Sequence, residues 1–264
     1  MLYQPFPNSN LFSSLVTQRS RLNDKPNDAK QPHNRRPAKS IGLKSGIVIG
    51  MMILLSACAN QVTLKPENST SLQQHNISLS PLSDWGQRKF TPSVTNYSLS
   101  IADEQTVLTA HSASSASMLY QKIQVDLNKT PYFNWRWQVE NTFPNNKNEQ
   151  KREGDDFPAR VYIAIKPASL EIKPRAISYV WASHAKQFST WPSPFNNNVM
   201  TLALQSGDAH AGQWQSEKRN LKEDIQQLFG MPIEMVEGIA IMSDTDNTDN
   251  STVAHYQRFF FSAE

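Results

Sequence analysis

The sequence predicts a mainly β protein, an antiparallel β-sandwich with one short helix. Three observations carry this. Segment after segment alternates apolar and polar residues with period two, as strands with one buried face do. Clusters of turn-forming residues separate these segments at intervals of roughly 8–20 residues, the spacing of sandwiches and barrels. One stretch alone carries the marks of a helix.

"YSLSIA" and "TVLTAHS" are the first candidate strands, followed by "SASMLYQKIQV". "PYFNWRWQVE" alternates most clearly: Phe133, Trp135, Trp137 and Val139 share one face, and Asn134, Arg136, Gln138 and Glu140 the other. "ARVYIAI" groups Val161, Ile163 and Ile165, and "AISYVWAS" groups Ile177, Tyr179 and Trp181. "NVMTLALQ", "GIAIMS" and "AHYQRFFF" complete the strands. The helix is "NLKEDIQQLFG", where Asn220 caps and Glu223 stands at capping-box spacing. Leu221, Ile225 and Leu228 form its apolar side, and Gly230 with Pro232 ends it. "NTFPNNKNEQKREGDD" reads as a long mobile loop.

The N-terminal part has a different character. Arg35, Arg36, Lys39 and Lys44 precede "GIVIGMMILLSA", an apolar run of twelve residues. A run of this length falls short of the ~20 residues needed to span a bilayer, and it fits the h-region of a secretory signal. It ends in Leu55-Ser56-Ala57-Cys58, which resembles the lipobox of bacterial lipoproteins. Small residues there suit a signal-peptidase cleft, and the Cys58 thiol accepts a diacylglycerol that anchors the chain to the membrane. Ala59 in the next position points to the outer membrane and the periplasm of a Gram-negative cell. Met1 to Asn34 is long for an n-region, which points to a translation start downstream, near Ile41. The expected organisation is an N-terminal extension and signal over 1–57, a flexible tether over 58–76 and the sandwich over 77–264.

Charge and cysteine content narrow the function. The chain has 26 Lys and Arg against 23 Asp and Glu. Eight of those basic residues and two of the acids precede Cys58, so the remainder holds 18 basic and 21 acidic residues, about −3. Nothing in this balance or in the motifs calls for nucleic acid. Cys58 is the only cysteine, so no disulfide forms within the chain. The five His residues after it do not stand at metal-ligand spacing, and G-x-S-x-G and H-E-x-x-H do not occur.

Three constellations remain. In "SDTDNTDNS", Asp244 and Asp246 fit the first places of a helix-loop-helix calcium loop, but Thr248 takes the third and no Glu ends it. No cofactor is expected. A hydrogen-bonded turn is the leading reading, with a structural calcium ion held by loop oxygens as the alternative. In "EGDDFPARVYIAI", Arg160 and Tyr162 are out of phase with Val161, Ile163 and Ile165 and face the other way. If that face is covered, Arg160 needs a carboxylate from Asp156, Asp244 or Asp246. Among the aromatics, Trp135 and Trp137 read as core. Trp181 reads as a ring for a ligand to stack on, and Trp191, in a Pro-rich stretch, is expected to be exposed.

The motifs "GDDFPARVYIAI", "SYVWAS", "QSGDAHAGQWQSEKRNLKEDIQQLFG" and "GIAIMSDTDNTDNSTVAHY" together resemble the bacterial domain-of-unknown-function family 3047, over about Leu79 to Phe261. The resemblance implies no activity. It implies a fold similar to jelly-roll sandwiches of the carbohydrate-binding-module type.

The expected function is a lipid-anchored envelope module that binds a glycan or other envelope polymer without altering it. Its ligand-binding residues are expected to be Asp156, Arg160, Tyr162, Trp181, Asp244 and Asp246. One alternative is a glycan hydrolase or lyase using Asp156 with Asp244 or Asp246. The other is a structural lipoprotein that binds a protein partner.

Overall fold

The computed structural model describes residues 73–165 and 173–264. Cys58, the apolar run before it and most of the expected tether lie outside the described residues. Among the described residues no helix is long and apolar enough to cross a membrane.

The strands are β1 (Gln74–Ile77), β2 (Gly86–Lys89), β3 (Asn96–Ala102), β4 (Gln105–Ala113), β5 (Ala116–Asp126), β6 (Tyr132–Val139) and β7 (Ala159–Ile165). They continue with β8 (Arg175–Ala182), β9 (Thr190–Ser193), β10 (Asn196–Ser206), β11 (Gln215–Asn220), β12 (Met235–Asp244) and β13 (Ser251–Ser262). The helix α1 (Leu221–Phe229) follows β11. A six-stranded sheet runs β11-β6-β13-β4-β3, with β1 added to β13, and a seven-stranded sheet runs β2-β5-β12-β7-β8-β10-β9. The predicted sandwich with one short helix is the observed fold.

The departures from expectation sit at the edges. β1, β2, β9 and β11 have no counterpart among the predicted strands, and β1 begins inside the segment read as tether. All four are short and largely exposed or half-buried. An edge strand needs no buried stripe, so it leaves no periodic signal. One ladder, β8 with β10, is parallel, and the other described ladders are antiparallel. The chain leaves β8, crosses to the outer edge as β9 and returns as β10 between the two.

The core lies between the sheets. From the six-stranded sheet come Phe133, Trp135, Trp137, Leu108, Tyr256 and Phe261. From the other come Val161, Ile163, Ile177, Tyr179, Trp181, Ile239 and Ile241. Rings meet across the gap: Trp135 lies 5.3 Å from Tyr179 and Trp137 lies 6.1 Å from Trp181, centroid to centroid. These wide rings give the layer its volume, and each buries ~150–250 Å². The helix closes one end with Leu221 and Ile225 fully buried. Asn220 caps it by accepting from the Lys222 amide at 3.2 Å, and Gly230 takes the left-handed conformation at its end, with φ 66°.

At the rim, Glu217 of β11 ties the sheets together. Its Oε1 accepts from Trp137 Nε1 at 3.0 Å and from Gln205 Nε2, on β10, at 2.7 Å. Burial pushes its pKa up, although these two hydrogen bonds pull the other way. A carboxyl whose pKa rises on folding holds its proton more tightly in the folded state. Its stabilising contribution is therefore fully present below the ordinary carboxylate range and is lost as pH rises through the raised value. Glu217→Gln keeps an acceptor for both donors and removes the buried charge. The variant is expected to melt above wild type at neutral pH, and the difference to vanish near about pH 4, where wild type is protonated. Thermal scans across that range check this.

Candidate functional site

The outer face of the seven-stranded sheet carries the candidate site residues. Along β7 the side chains of Arg160, Tyr162 and Ala164 point away from the core, as the period-two reading expected. Backbone register aligns one residue from every strand into a single row: Gly86, Tyr120, Ala240, Tyr162, Ser178, Thr201 and Trp191. The next row runs Arg88, Met118, Met242, Arg160, Val180 and Ala203. Small residues floor this face at Ala164, Ala176 and Ala240, while Tyr120 and Tyr162 stand half-buried beside Ala240. Gly86 has a specific part here. A Cβ at that position would meet Cζ of the Tyr120 ring at 2.5 Å, so the ring lies down over the glycine.

One end of the face is charged. Arg160 is 2% exposed. Its Nε donates to Asp244 Oδ1 at 2.8 Å and its Nη2 to Asp244 Oδ2 at 2.9 Å, a two-pronged pair between β7 and β12. Nη2 also donates to the Asp155 carbonyl and lies 3.2 Å from the Asp155 carboxylate. Nη1 donates to the Tyr162 hydroxyl at 3.2 Å, and the Phe157 ring lies 4.3 Å from the guanidinium carbon. Burial by itself lowers the Arg160 pKa, but Asp155 and Asp244 outweigh it and hold the group well above its usual value.

The acidic corner after β12 is pinned from the β6–β7 loop. Asp156 accepts from the Asn247 amide at 3.2 Å, the Thr248 amide at 2.7 Å and the Thr248 hydroxyl at 2.6 Å. Asp249 takes a left-handed backbone and accepts from Ser114. "SDTDNTDNS" is thus a hydrogen-bonded corner. Carboxylate oxygens of Asp156, Asp244 and Asp246 lie within 4.8 Å of one another, a set whose hard oxygens suit a cation in type. Both oxygens of Asp156 already serve the corner, and both oxygens of Asp244 already serve a guanidinium.

Asp156, Arg160, Tyr162, Asp244 and Asp246 are therefore brought together, as expected, but with different roles. Asp156 and Asp244 are fully buried and Arg160 nearly so, which makes them a pin and not a surface for hydroxyls. Tyr162 and Asp246 are half-buried at the rim. Trp181 does not belong to the group. It points into the core, fully buried, and its Nε1 donates to the Gly207 carbonyl at 3.1 Å. Period two places it with Tyr179, opposite Arg160. Trp191 lies on β9 at 6% exposure and not in an open loop, packed with Phe157 and Ala203. The loop read as mobile is held by Glu149, whose carboxylate accepts from the amides of Ser183, His184 and Ala185.

The row residues Tyr120, Ser178 and Thr201 escaped the sequence reading. A signal existed: Ser178 and Thr201 are polar positions inside otherwise apolar strands.

Residues 83–260 match the family model for "Protein of unknown function (DUF3047)". The chain belongs to that family. No curated protein matches it. Among solved structures it is similar to the family 11 carbohydrate-binding module from Clostridium thermocellum in complex with a β-1,3-1,4-mixed-linked tetrasaccharide, at 7% identity, TM-score 0.39, over 73% of this chain and 96% of that one. It is also similar to a family 30 carbohydrate-binding module of a Clostridium thermocellum cellulosomal cellulase, at 8% identity, TM-score 0.40, over 69% and 92%. A third is the xyloglucanase domain of NopAA from Sinorhizobium fredii, with cellobiose, at 10% identity, TM-score 0.38, over 67% and 92%. Likeness at this level decides nothing about function.

Replacing Arg160 by Leu leaves Asp155 and Asp244 buried without their cation. The expected loss is about 3–5 kcal/mol of folding stability. Adding Asp244→Asn to that variant is expected to restore part of it, and urea denaturation of the single and double variants measures both.

Proposed function

We propose that the protein is a non-catalytic envelope lipoprotein that binds a glycan along the outer face of its seven-stranded sheet. The observation that carries this reading is the pair of half-buried tyrosines, Tyr120 and Tyr162, on either side of Ala240 on that face. The two tyrosines stand two strands apart, ~10 Å at ordinary strand spacing, a span of roughly two sugar rings. Between them the floor is a methyl group. A pyranose ring presents an apolar face to a flat aromatic and keeps its hydroxyls at the edge, so it suits a tyrosine laid down over Gly86. Arg160 acts here as a positioning residue, because its hydrogen bond to the Tyr162 hydroxyl orients the second ring. Arg88 borders Tyr120 and supplies a donor at the rim.

The membrane partner in this reading is the lipid on Cys58. The charged flank, the apolar run and Leu55-Ser56-Ala57-Cys58 support it, and Ala59 supports placement at the outer membrane, facing the periplasm. Two or more acyl chains suffice for stable anchoring. The binding face would then work from a tether, close to the envelope polymers.

The full chain is expected to be retained by an array of neutral oligosaccharides and envelope glycan fragments. Tyr120→Ala, Tyr162→Ala and Gly86→Ala are each expected to weaken that retention about three- to tenfold, the worth of one stacking contact. Retention that none of the three alters would move the site elsewhere, and no retention of any glycan would end the reading.

The anchor has its own check. Cys58→Ser is expected to shift the protein from the membrane fraction to the soluble periplasmic fraction. An unmodified Cys58 in the wild type, seen by mass spectrometry of the membrane fraction, would remove the anchor.

A further inference from the structure

The described strands end one sheet in β11 and β3 and the other in β2 and β9, with β1 a short addition to β13. An open edge offers unpaired N–H and C=O groups to any other chain, and folded proteins guard it with charge, proline or brevity. β2 is four residues long and carries Arg88 and Lys89. β9 is four residues long and carries Pro192. β11 carries Glu217, Lys218 and Arg219, and β1 is again four residues long. β3 has none of these guards. Its seven residues, "NYSLSIA", hold no charge and no proline.

The hairpin that β3 forms with β4 fixes which of its backbone groups face outward. Asp103 and Glu104 make the two-residue turn, both left-handed, with φ 49° and 59°, as a type I′ turn requires. The residues flanking such a turn, Ala102 and Gln105, are a hydrogen-bonded pair. Bonding to β4 then alternates back through Ser100, Ser98 and Asn96, so Tyr97, Leu99 and Ile101 turn their N–H and C=O groups to the open edge. The side chains of these three share the core-facing side of the strand. Tyr97 and Leu99 are half-buried and pack against the core, while Ile101 is 72% exposed, more than any other large hydrophobic among the described residues. Ser98 and Ser100 are exposed on the opposite side.

We propose that β3 pairs antiparallel with β3 of a second copy of the chain, about a two-fold axis at Leu99. The pattern Tyr-Ser-Leu-Ser-Ile alternates apolar and polar alike from either end, as a contact between identical strands requires. In this register Leu99 meets Leu99 of the second copy, and Tyr97 meets Ile101, which covers the exposed isoleucine with a half-buried ring. Ser98 faces Ser100, hydroxyl to hydroxyl. The outward N–H and C=O groups of Tyr97, Leu99 and Ile101 fall opposite one another as hydrogen-bonded pairs, about six bonds in all. Like charges do not meet, because the acidic turns of the two copies lie at opposite ends of the paired strands, ~27 Å apart. This inference stands apart from the glycan reading.

The test is sedimentation of the full chain carrying Cys58→Ser, so that acyl chains play no part in association. A monomer–dimer equilibrium is expected, with a dissociation constant of about 1–100 μM, because the paired edge is smaller than a standard interface. Hydrogen exchange at the amides of Tyr97, Leu99 and Ile101 is expected to slow as concentration rises. Ser98→Lys combined with Ser100→Lys sets like charges across both serine pairs. It is expected to weaken the dimer about tenfold or more and to leave the melting temperature of the dilute protein unchanged, since both positions are exposed. Ser98→Lys combined with Ser100→Glu sets opposite charges across the same pairs and is expected to restore the dimer. A chain that stays monomeric up to about 1 mM overturns the inference. A dimer that lysine at both positions leaves intact lies on another surface and overturns it as well. A dimer lost to the two lysines and not recovered with the lysine and glutamate overturns the register at Leu99.

Discussion

The guanidinium of Arg160 is buried on the outer face of a β-sheet, and one end of the molecule is arranged around that fact. A desolvated cation costs several kcal/mol unless it is paired and fully hydrogen-bonded. Asp244 meets it from the neighbouring strand, Asp155 from the loop before β7, and the Phe157 ring lies over it. These partners come from two separate stretches of chain. The β6–β7 loop is therefore tied to the end of β12, and Asp156, next along, ties in the corner that follows. The fourth direction of the guanidinium goes to Tyr162. The same charge that pins the corner thus sets the position of a tyrosine on the outer face of the sheet.

A sheet covered on both faces has an unusual sequence requirement. Residues 176–182 on β8 are all buried. Alternation of hydrophobicity then fades, and alternation of size takes over: Ile177, Tyr179 and Trp181 face the core, and Ala176, Ser178, Val180 and Ala182 face outward. The inner face needs volume to fill the space between two sheets. The outer face carries the opposite, small side chains between Tyr120 on one side and Trp191 on the other.

This division explains what was legible in the sequence. The nine longer strands and the helix were readable because they are half-buried or apolar throughout, with turn residues between them. The facing of Arg160 and Tyr162 was readable because phase along β7 is unambiguous, and so was the need for an aspartate partner. Burial was not readable. Phase alone separates the two faces of a strand but does not say whether the second face is open, so Arg160, Asp156 and Asp244 looked like surface groups. Trp181 was misassigned for a different reason. Its phase matched Tyr179 and Ile177, but its size suggested a stacking platform, and phase was the better guide. The row across seven strands depends on register, which brings together Gly86, Tyr120 and Thr201 from distant parts of the chain. Nothing local encodes that pairing. The polar interruptions at Ser178 and Thr201 were the available trace of it.

Those interruptions also bear on why the face is kept polar at all. Ala and Val at 178 and 201 would match their neighbours Ala176, Val180, Val199 and Ala203, and would spare the sheet two buried hydroxyls with no partner. Each such group costs about 1–3 kcal/mol of desolvation, a substantial share of the 5–15 kcal/mol that holds a domain together. Arg160 is expensive as well, but its cost is met within the protein by Asp244 and Asp155.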